Sequence, residues 1–208
     1  MDADGRRAAL REALISAAER VVVADGLGAL RARDLAREAG CAVGAIYSVF
    51  PDLDTLILQV NLRTLELFEA EIGHGGVQGG VLGGVQGEDA VEELVRLAVA
   101  YLRFAEAHGA RWRALFQHRS AAGEVPDWYR GEQARLFSYI EAPLDRLCPG
   151  LSPGMRAVRA RSLFSCTHGL VSLGLDERLV ALPREVLARE VADVVRALGA
   201  GLAGREGV

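Results

Sequence analysis

One stretch, RARDLAREAGCAVGAIYSVF at residues 31–50, constrains the fold of this chain more than any other. Apolar residues spaced along one helical face predict a short helix over about residues 32–39, and Gly40 follows where a left-handed cap is needed. A second helix is predicted from about Ala42, and Pro51 ends it. Two short helices joined by a glycine turn form a helix-turn-helix, whose second helix lies in the DNA major groove.

The second of these helices carries apolar residues at three- and four-residue steps. The pattern predicts a buried stripe made of Val43, Ile46, Tyr47 and Phe50. A second interpretation is a small helical bundle in which Tyr47 and Phe50 only pack against neighbouring helices.

Two motifs at a fixed spacing carry a resemblance to a known family. The sequence RDLAREAG at residues 33–40, followed by GAIY at residues 44–47 and by Phe50-Pro51, resembles the N-terminal domain of tetracycline-repressor-like (TetR) regulators. The resemblance implies an all-α fold, with a three-helix helix-turn-helix head at residues 1–51 and a helical effector-binding and dimerisation domain at residues 52–208. It implies a one-component transcriptional regulator, specifically a ligand-responsive repressor that binds double-stranded operator DNA as a homodimer.

The same resemblance assigns the DNA contacts to the second helix and its surroundings. The contact positions are Arg33, Ala42, Val43, Gly44, Ala45, Tyr47 and Ser48. Members of the family often carry hydroxyl or basic groups where this chain has Ala42, Val43, Ala45 and Leu53, so few polar contacts to phosphate remain. We expect Val43 and Ala45 to touch thymine methyl groups and Gly44 to allow close approach to a base. Few cations predict a shallow salt dependence of binding.

The segments on either side of the motif read as bracing helices. Apolar residues between positions 10 and 22 predict a first helix, and Arg6 and Arg7 form either its solvated start or a flexible arm that reaches DNA. Asp52 is placed to cap a fourth helix that runs to about Ile72. The glycine-rich residues that follow, about 73–87, predict a flexible loop, and the absence of lysine argues against a phosphate-binding loop.

The rest of the chain shows helical periodicity and most of its aromatic residues. The Trp112 segment and the His168-Gly169 pair are similar to a TetR subgroup named for tryptophan, histidine and glycine. An apolar or aromatic-containing effector is expected. The candidate pocket residues are Tyr101, Phe104, Trp112, Phe116, Trp128, Phe137, Phe164 and His168. For each of them, a plain core position is at least as common as a place in a pocket. The last two helices carry more apolar surface than one subunit buries, which predicts a dimer interface of His168, Gly169, Ser172, Leu173, Leu175, Val191, Val194, Val195 and Leu198.

Composition and spacing also argue against several classes of protein. The three cysteines are an odd number without CxxC spacing, and no apolar run reaches the roughly 18 to 20 residues that span a bilayer, so a cytoplasmic protein without membrane contact is expected. Cys166 and His168 point about 200° apart on one helix, and the histidines lack HxxxH spacing. We therefore expect no enzyme activity, no metal site and no cofactor. The alternative function is a helical ligand-binding or interaction protein that keeps this scaffold but has lost operator binding.

Overall fold

The computed structural model describes residues 2–74, 89–119, 125–178 and 181–204. Over these ranges the chain forms nine α-helices and a short 3-10 turn at Leu27–Ala29, with no β-strand. The helices are α1 Ala3–Asp25, α2 Ala32–Glu38, α3 Val43–Val49, α4 Leu53–His74, α5 Ala90–Ala107, α6 Gly109–Gln117, α7 Asp127–Leu147, α8 Pro153–Gly174 and α9 Arg184–Ala203. The predicted all-α class is confirmed.

Local capping explains where several of these helices begin. The Asp52 carboxylate accepts a hydrogen bond from the backbone N–H of Thr55 at 2.6 Å, so the predicted cap of α4 is present. Pro183 is the cap residue of α9, at the junction that the sequence indicated. The predicted glycine-rich loop, about residues 73–87, lies outside the described residues except for Gly73 and His74. These two belong to the last turn of α4 and not to a loop, since the helix continues past the buried Ile72.

Contacts divide the chain into two compact units. Unit 1 comprises Met1–Leu67 and His108–Arg130, and unit 2 comprises Phe68–Ala107 and Gly131–Val208. The helix-turn-helix head therefore packs together with α6 and with most of α4. This division by packing differs from the predicted functional division between residues 1–51 and 52–208, which stays a prediction about roles.

The core of unit 1 gathers apolar side chains from the three head helices, α4 and α6. Its most buried members are Leu14, Ile15, Ala17, Ala18, Val22, Leu35, Ala36, Ile46, Phe50, Leu56, Val60 and Ala114. The spacing of the α1 residues follows one face of a helix, which is why α1 braces both α2 and α3. Removing any one of the large members would leave a cavity that costs about 2 to 5 kcal/mol.

An ionic network joins three helices of unit 1. Glu19 of α1 pairs with Arg63 of α4, with 3.3 Å between Oε2 and Nη1, and its Oε1 accepts a hydrogen bond from Arg111 of α6. The Arg63 guanidinium also binds both carboxylate oxygens of Glu12 and the hydroxyl of Ser16. The Glu19, Arg63 and Arg111 side chains are only 19%, 27% and 22% exposed, so solvent screens these charges less than on an open surface.

Unit 2 is built around α9, which packs mainly along α5 and also against α8. The approach of α9 to α8 needs a glycine. A Cβ atom at Gly174 would lie 2.5 Å from a methyl group of the fully buried Leu187. Two ion pairs lie at the surface of unit 2: Arg146 pairs with the mostly buried Glu93, and Arg196 pairs with Glu92.

Among the described residues, no single helix is long and apolar enough to cross a bilayer. The helices Val43–Val49 and Leu53–Gly73 pass the test of length and composition only as a pair, bent by 66°. Several side chains of the second helix, Leu56, Leu58 and Val60 among them, are buried inside the protein.

Candidate nucleic-acid interface and effector site

The turn between α2 and α3 is closed by backbone atoms. Gly40 adopts a φ of +66°, and its N–H donates to the carbonyl of Arg37 at 3.3 Å. The next N–H, of Cys41, donates to the carbonyl of Ala36 at 2.9 Å. This pair of bonds is the Schellman motif, which requires a left-handed residue at the position of Gly40. The predicted glycine cap is present, and it sets the direction in which α3 leaves α2.

The apolar stripe predicted on α3 is only half buried. Ile46 and Phe50 lie in the core of unit 1, with 0% and 2% of their surface exposed. Val43 and Tyr47, which the spacing placed in the same stripe, are 39% and 50% exposed. The prediction was wrong for these two residues because the stripe spans about 100° of the helix surface, and only its edge at Ile46 and Phe50 meets the core.

Most of the residues predicted to contact DNA are exposed on unit 1. Ala42, Val43, Gly44, Tyr47 and Ser48 are exposed on or beside α3, Ala45 is half-buried, and Arg33 is exposed near the start of α2. The Ser48 hydroxyl donates to the Ala45 carbonyl at 2.7 Å, so its proton is already engaged. Among the described residues, the Tyr47 hydroxyl has no hydrogen-bond partner and Arg33 no ion pair.

Most other arginines near this surface already have partners. Arg37 pairs with Asp34 and Arg20 with Glu38, each at 2.7 Å. The Arg31 guanidinium donates to the carbonyls of Gly28 and Leu30, which fastens the segment before α2. The surface around α3 therefore offers few free cations.

The arm alternative for the chain start is wrong. Arg6 and Arg7 lie in the first turns of α1, whose start is capped by the carboxylate of Asp2. Helical hydrogen bonds fix the backbone at both arginines, so they belong to the solvated beginning of a helix.

Five of the eight predicted pocket residues form one aromatic cluster in unit 2. Tyr101 packs against Phe164 with ring centroids 5.4 Å apart, Phe164 packs against Phe137 at the same distance, and Phe164 stacks on His168 at 5.8 Å. Phe104 joins them through Phe68, at 5.0 Å. Phe68 is not among the predicted pocket residues, because its three-residue spacing from Leu65 indicates only helical periodicity.

A hydrogen bond gives the cluster its polar centre. The Tyr101 hydroxyl and His168 Nδ1 are 2.7 Å apart. Burial lowers the pKa of His168, so the imidazole is neutral at pH 7 and its ring can both donate and accept. The cluster therefore combines a neutral polar pair with aromatic rings, and its role as an effector pocket stays a prediction.

The other three predicted pocket residues lie in unit 1. Trp112 packs against Phe116 with centroids 5.6 Å apart, and Trp128 packs against Tyr129 at the same separation. Tyr129 is 4% exposed, and burial raises its pKa to about 12, opposed by a hydrogen bond with Asn61. The predicted pocket set is thus split between the two units, and the five residues of unit 2 are the ones that the structure brings together.

The predicted dimer residues on α8 and α9 differ in how far they face outward. Leu173 is 49% exposed, and His168, Gly169, Ser172, Leu175, Val194 and Leu198 are half-buried. Val191 and Val195 are 0% and 4% exposed, because that face of α9 packs inside unit 2. These two are core residues of one subunit and leave the interface set.

Sequence reasoning missed the outer face of the first half of α8. Met155 and Val158 are 45% and 51% exposed, and the exposed Ser162, Ser165 and Cys166 continue toward Gly169 at three- and four-residue steps. The signal was available, because apolar and small residues recur there at helical spacing.

Comparison with known proteins gives the fold its family. Residues 14–60 match the family of bacterial regulatory proteins called tetR, and residues 94–202, more than half of the chain, match the tetracyclin repressor-like C-terminal domain. The chain belongs to the TetR family. It is therefore a member of a family of DNA-binding bacterial transcription regulators, as predicted. The subgroup named for tryptophan, histidine and glycine stays a prediction.

Several solved structures share the fold over at least 90% of this chain at low sequence identity. A TetR transcriptional regulator from Rhodococcus sp. RHA1 is 14% identical, with a TM-score of 0.60 over 93% of this chain and 97% of that one. A protein of unknown function from the same organism is 21% identical, with a TM-score of 0.66 over 90% of this chain and 94% of that one. RolR, solved with resorcinol, is 16% identical with a TM-score of 0.63 over 97% and 96%. A search of curated protein sequences finds no match.

Proposed function

We propose that this TetR-family protein is a ligand-responsive repressor that binds operator DNA as a homodimer. The observation that carries the proposal is the split of α3. Ile46 and Phe50 are buried in the core of unit 1, while Val43 and Tyr47 are exposed to solvent. A helix anchored on one side and exposed on the other is what a major groove can accept. Because operator DNA lies in the bacterial cytoplasm, the protein would act there.

Selection from random duplexes tests operator binding directly. We expect the full-length protein to enrich one half-site sequence, repeated about one helical turn away, which corresponds to roughly 34 to 36 Å. Tyr47→Phe removes only an exposed hydroxyl, so binding should weaken while the thermal unfolding temperature stays unchanged. Normal operator binding by Tyr47→Phe would remove Tyr47 from the contact set.

The dependence of affinity on salt gives a second readout. Each neutralised phosphate contributes a slope of about 0.9 in a plot of log K against log salt. Because Arg20, Arg31 and Arg37 already have partners within the chain, the slope should be modest for a dimer. A slope near ten would contradict this account and show that arginines elsewhere carry the contacts.

The dimer is proposed on the outer face of α8 with the half-buried residues of α9. Exposed Leu173 and Val158 lie on that face at either end of the small residues around Gly169. Leu173→Glu should produce a folded monomer that no longer binds a two-fold operator, as measured by sedimentation and by circular dichroism. Val23→Glu, at a valine that is 48% exposed on α1, is the matched control and should stay dimeric. A dimeric Leu173→Glu protein would place the interface elsewhere.

The effector is proposed to be an apolar or aromatic-containing small molecule bound beside Tyr101 and His168. RolR, which shares the fold, was solved with resorcinol. A bound ligand at 100 times its dissociation constant would add about 2.7 kcal/mol to stability. Thermal-shift screening of uncharged ring compounds should therefore find stabilisers, and Tyr101→Phe should weaken those that carry a hydroxyl. Equal stabilisation of both proteins by every hit would exclude Tyr101 from the site.

In the proposed mechanism the effector changes the populations of two conformations. A ligand that binds one conformation better shifts the equilibrium toward it, and a ligand that binds both equally shifts nothing. Helix α4 begins beside the head, at Leu53, and continues to His74, so a swing of this helix would change the spacing of the two heads. A nearly complete switch requires about 5.5 kcal/mol of differential affinity.

A second candidate function is suggested by the small number of polar side chains on α3. Ala42, Val43 and Ala45 provide no hydrogen bonds from their side chains, and the Ser48 proton is engaged. A scaffold that binds ligand or partner protein without operator binding would look like this. DNA binding that is weak and indifferent to sequence at all salt concentrations would favour it over the repressor.

A further inference from the structure

The side chains on the exposed face of α3 exclude most ways of reading a base. Guanine is read by Arg or Lys, adenine by Asn or Gln, and cytosine by Asp or Glu. Helix α3 and the turn before it, residues 40–49, contain none of these six residue types. The two hydroxyls on the helix are those of Tyr47 and of Ser48, and the Ser48 proton is donated to the Ala45 carbonyl. Apart from the exposed Tyr47 hydroxyl, what α3 offers for direct readout is apolar contact.

Val43 is the apolar group placed to make that contact. It is the first residue of α3, the end of a recognition helix that meets base edges, and it is 39% exposed. Its chain neighbours Ala42 and Gly44 are small and exposed. Apart from the chain neighbours and the backbone of α3 itself, no described atom lies within 4 Å of the position that a Cβ on Gly44 would occupy, so the helix is open to an approaching duplex there.

Thymine is the base that offers an apolar partner in the major groove, through its C5 methyl group. We propose that Val43 reads thymine by packing on this methyl group, so that the operator prefers thymine at one position in each half-site. This inference rests on the proposed operator binding and names the class of sequence that the protein selects. The protein would then distinguish thymine from other bases by burying its methyl group and not by a hydrogen bond.

The size of the effect follows from the area of one methyl group. Burying a methyl-sized apolar group is equivalent to about a fourfold change in affinity. Replacing the thymine by uracil removes only the C5 methyl and leaves the Watson–Crick pair and the O4 acceptor intact. We expect about a fourfold loss for one half-site and about fifteenfold for both together.

The experiment begins with an operator selected by the full-length protein and scans each thymine with deoxyuridine. One thymine per half-site should show the loss in the wild-type protein. In Val43→Ala the affinity for the thymine operator should fall by a similar factor, and the uracil substitution at that position should have no further effect. Val23→Ala, which truncates a valine of similar exposure on α1, should bind both operators as the wild type does. Thermal unfolding of both variants should match the wild type.

A methylated cytosine supplies an independent test. Cytosine at the critical position should bind poorly, and 5-methylcytosine should regain about fourfold because it restores the methyl group alone. Equal binding of thymine and uracil operators at every position would overturn the inference while leaving operator binding intact. A uracil penalty that persists in Val43→Ala would also overturn it, since another residue would then read the methyl group. Failure to select any sequence would overturn the proposed operator binding and this inference with it.

Discussion

Replacing Glu19 with glutamine tests how much the ionic network contributes to unit 1. Glutamine keeps the shape of the side chain but removes the charge that Arg63 and Arg111 share, while Arg63 retains Glu12. An exposed ion pair contributes about 0 to 1 kcal/mol, and breaking a fully buried pair costs about 3 to 5 kcal/mol. The three side chains are 19% to 27% exposed. We therefore expect a loss of about 2 kcal/mol, between these limits.

Thermal unfolding followed by circular dichroism measures this loss. For a chain of this length, about 2 kcal/mol corresponds to a fall in Tm of roughly 4 to 8 °C. Glu38→Gln is the matched control, because Glu38 also joins two helices of unit 1 through an arginine, Arg20, but at 38% and 63% exposure. Its loss should stay below about 1 kcal/mol and should shrink further in 0.5 M salt. Equal effects of the two variants would refute the argument from burial.

Three further predictions concern ionisation and packing. Burial raises the pKa of Tyr129 to about 12 from an ordinary 10, so the unfolded chain loses the Tyr129 proton at lower pH than the folded protein does. The free energy of unfolding should therefore fall by about 2 to 3 kcal/mol between pH 10 and 12. Urea titrations of Tyr129→Phe should show a smaller fall. The pKa of His168 is lowered by burial, so stability should decrease as pH falls below about 6.5, and His168→Gln should lack that part of the slope. Gly174→Ala should cost about 1 to 3 kcal/mol through its clash with Leu187, whereas Gly201→Ala, in open space on α9, should gain about 0.5 to 1 kcal/mol; equal chemical unfolding midpoints would contradict both.

The helix-turn-helix was predictable because its signals are local. The cap at Gly40, the start of α4 at Asp52 and the junction at Pro183 each depend on residues within one turn of the chain, and local backbone chemistry decides them. The same holds for the all-α class, since helical periodicity runs through most of the sequence.

Which apolar residues are buried depends on contacts between distant helices, and these contacts could not be predicted from the sequence. Helical spacing identified a stripe containing Val43 and Tyr47, but which edge of that stripe meets the core depends on how α1 lies across α3. The pocket residues carried equal signals as aromatic residues, yet Trp112 packs in unit 1 and Tyr101 in unit 2. Similarly, Val191 is as apolar as Val194, and only the position of α5 shows which of them is enclosed.

The Schellman turn before α3 has a consequence for how such a regulator changes over evolutionary time. The two hydrogen bonds that aim α3 join backbone atoms, and Gly40 is the one residue of the turn whose identity they constrain. The side chains of Ala42 and Val43 take no part in these bonds, and Gly44 has no side chain. If α3 reads the operator as proposed, the preferred operator sequence can change through substitutions at these three positions while the orientation of α3 stays the same. Duplicated copies of such a gene could then acquire new operator sequences without any change to the fold of the helix-turn-helix.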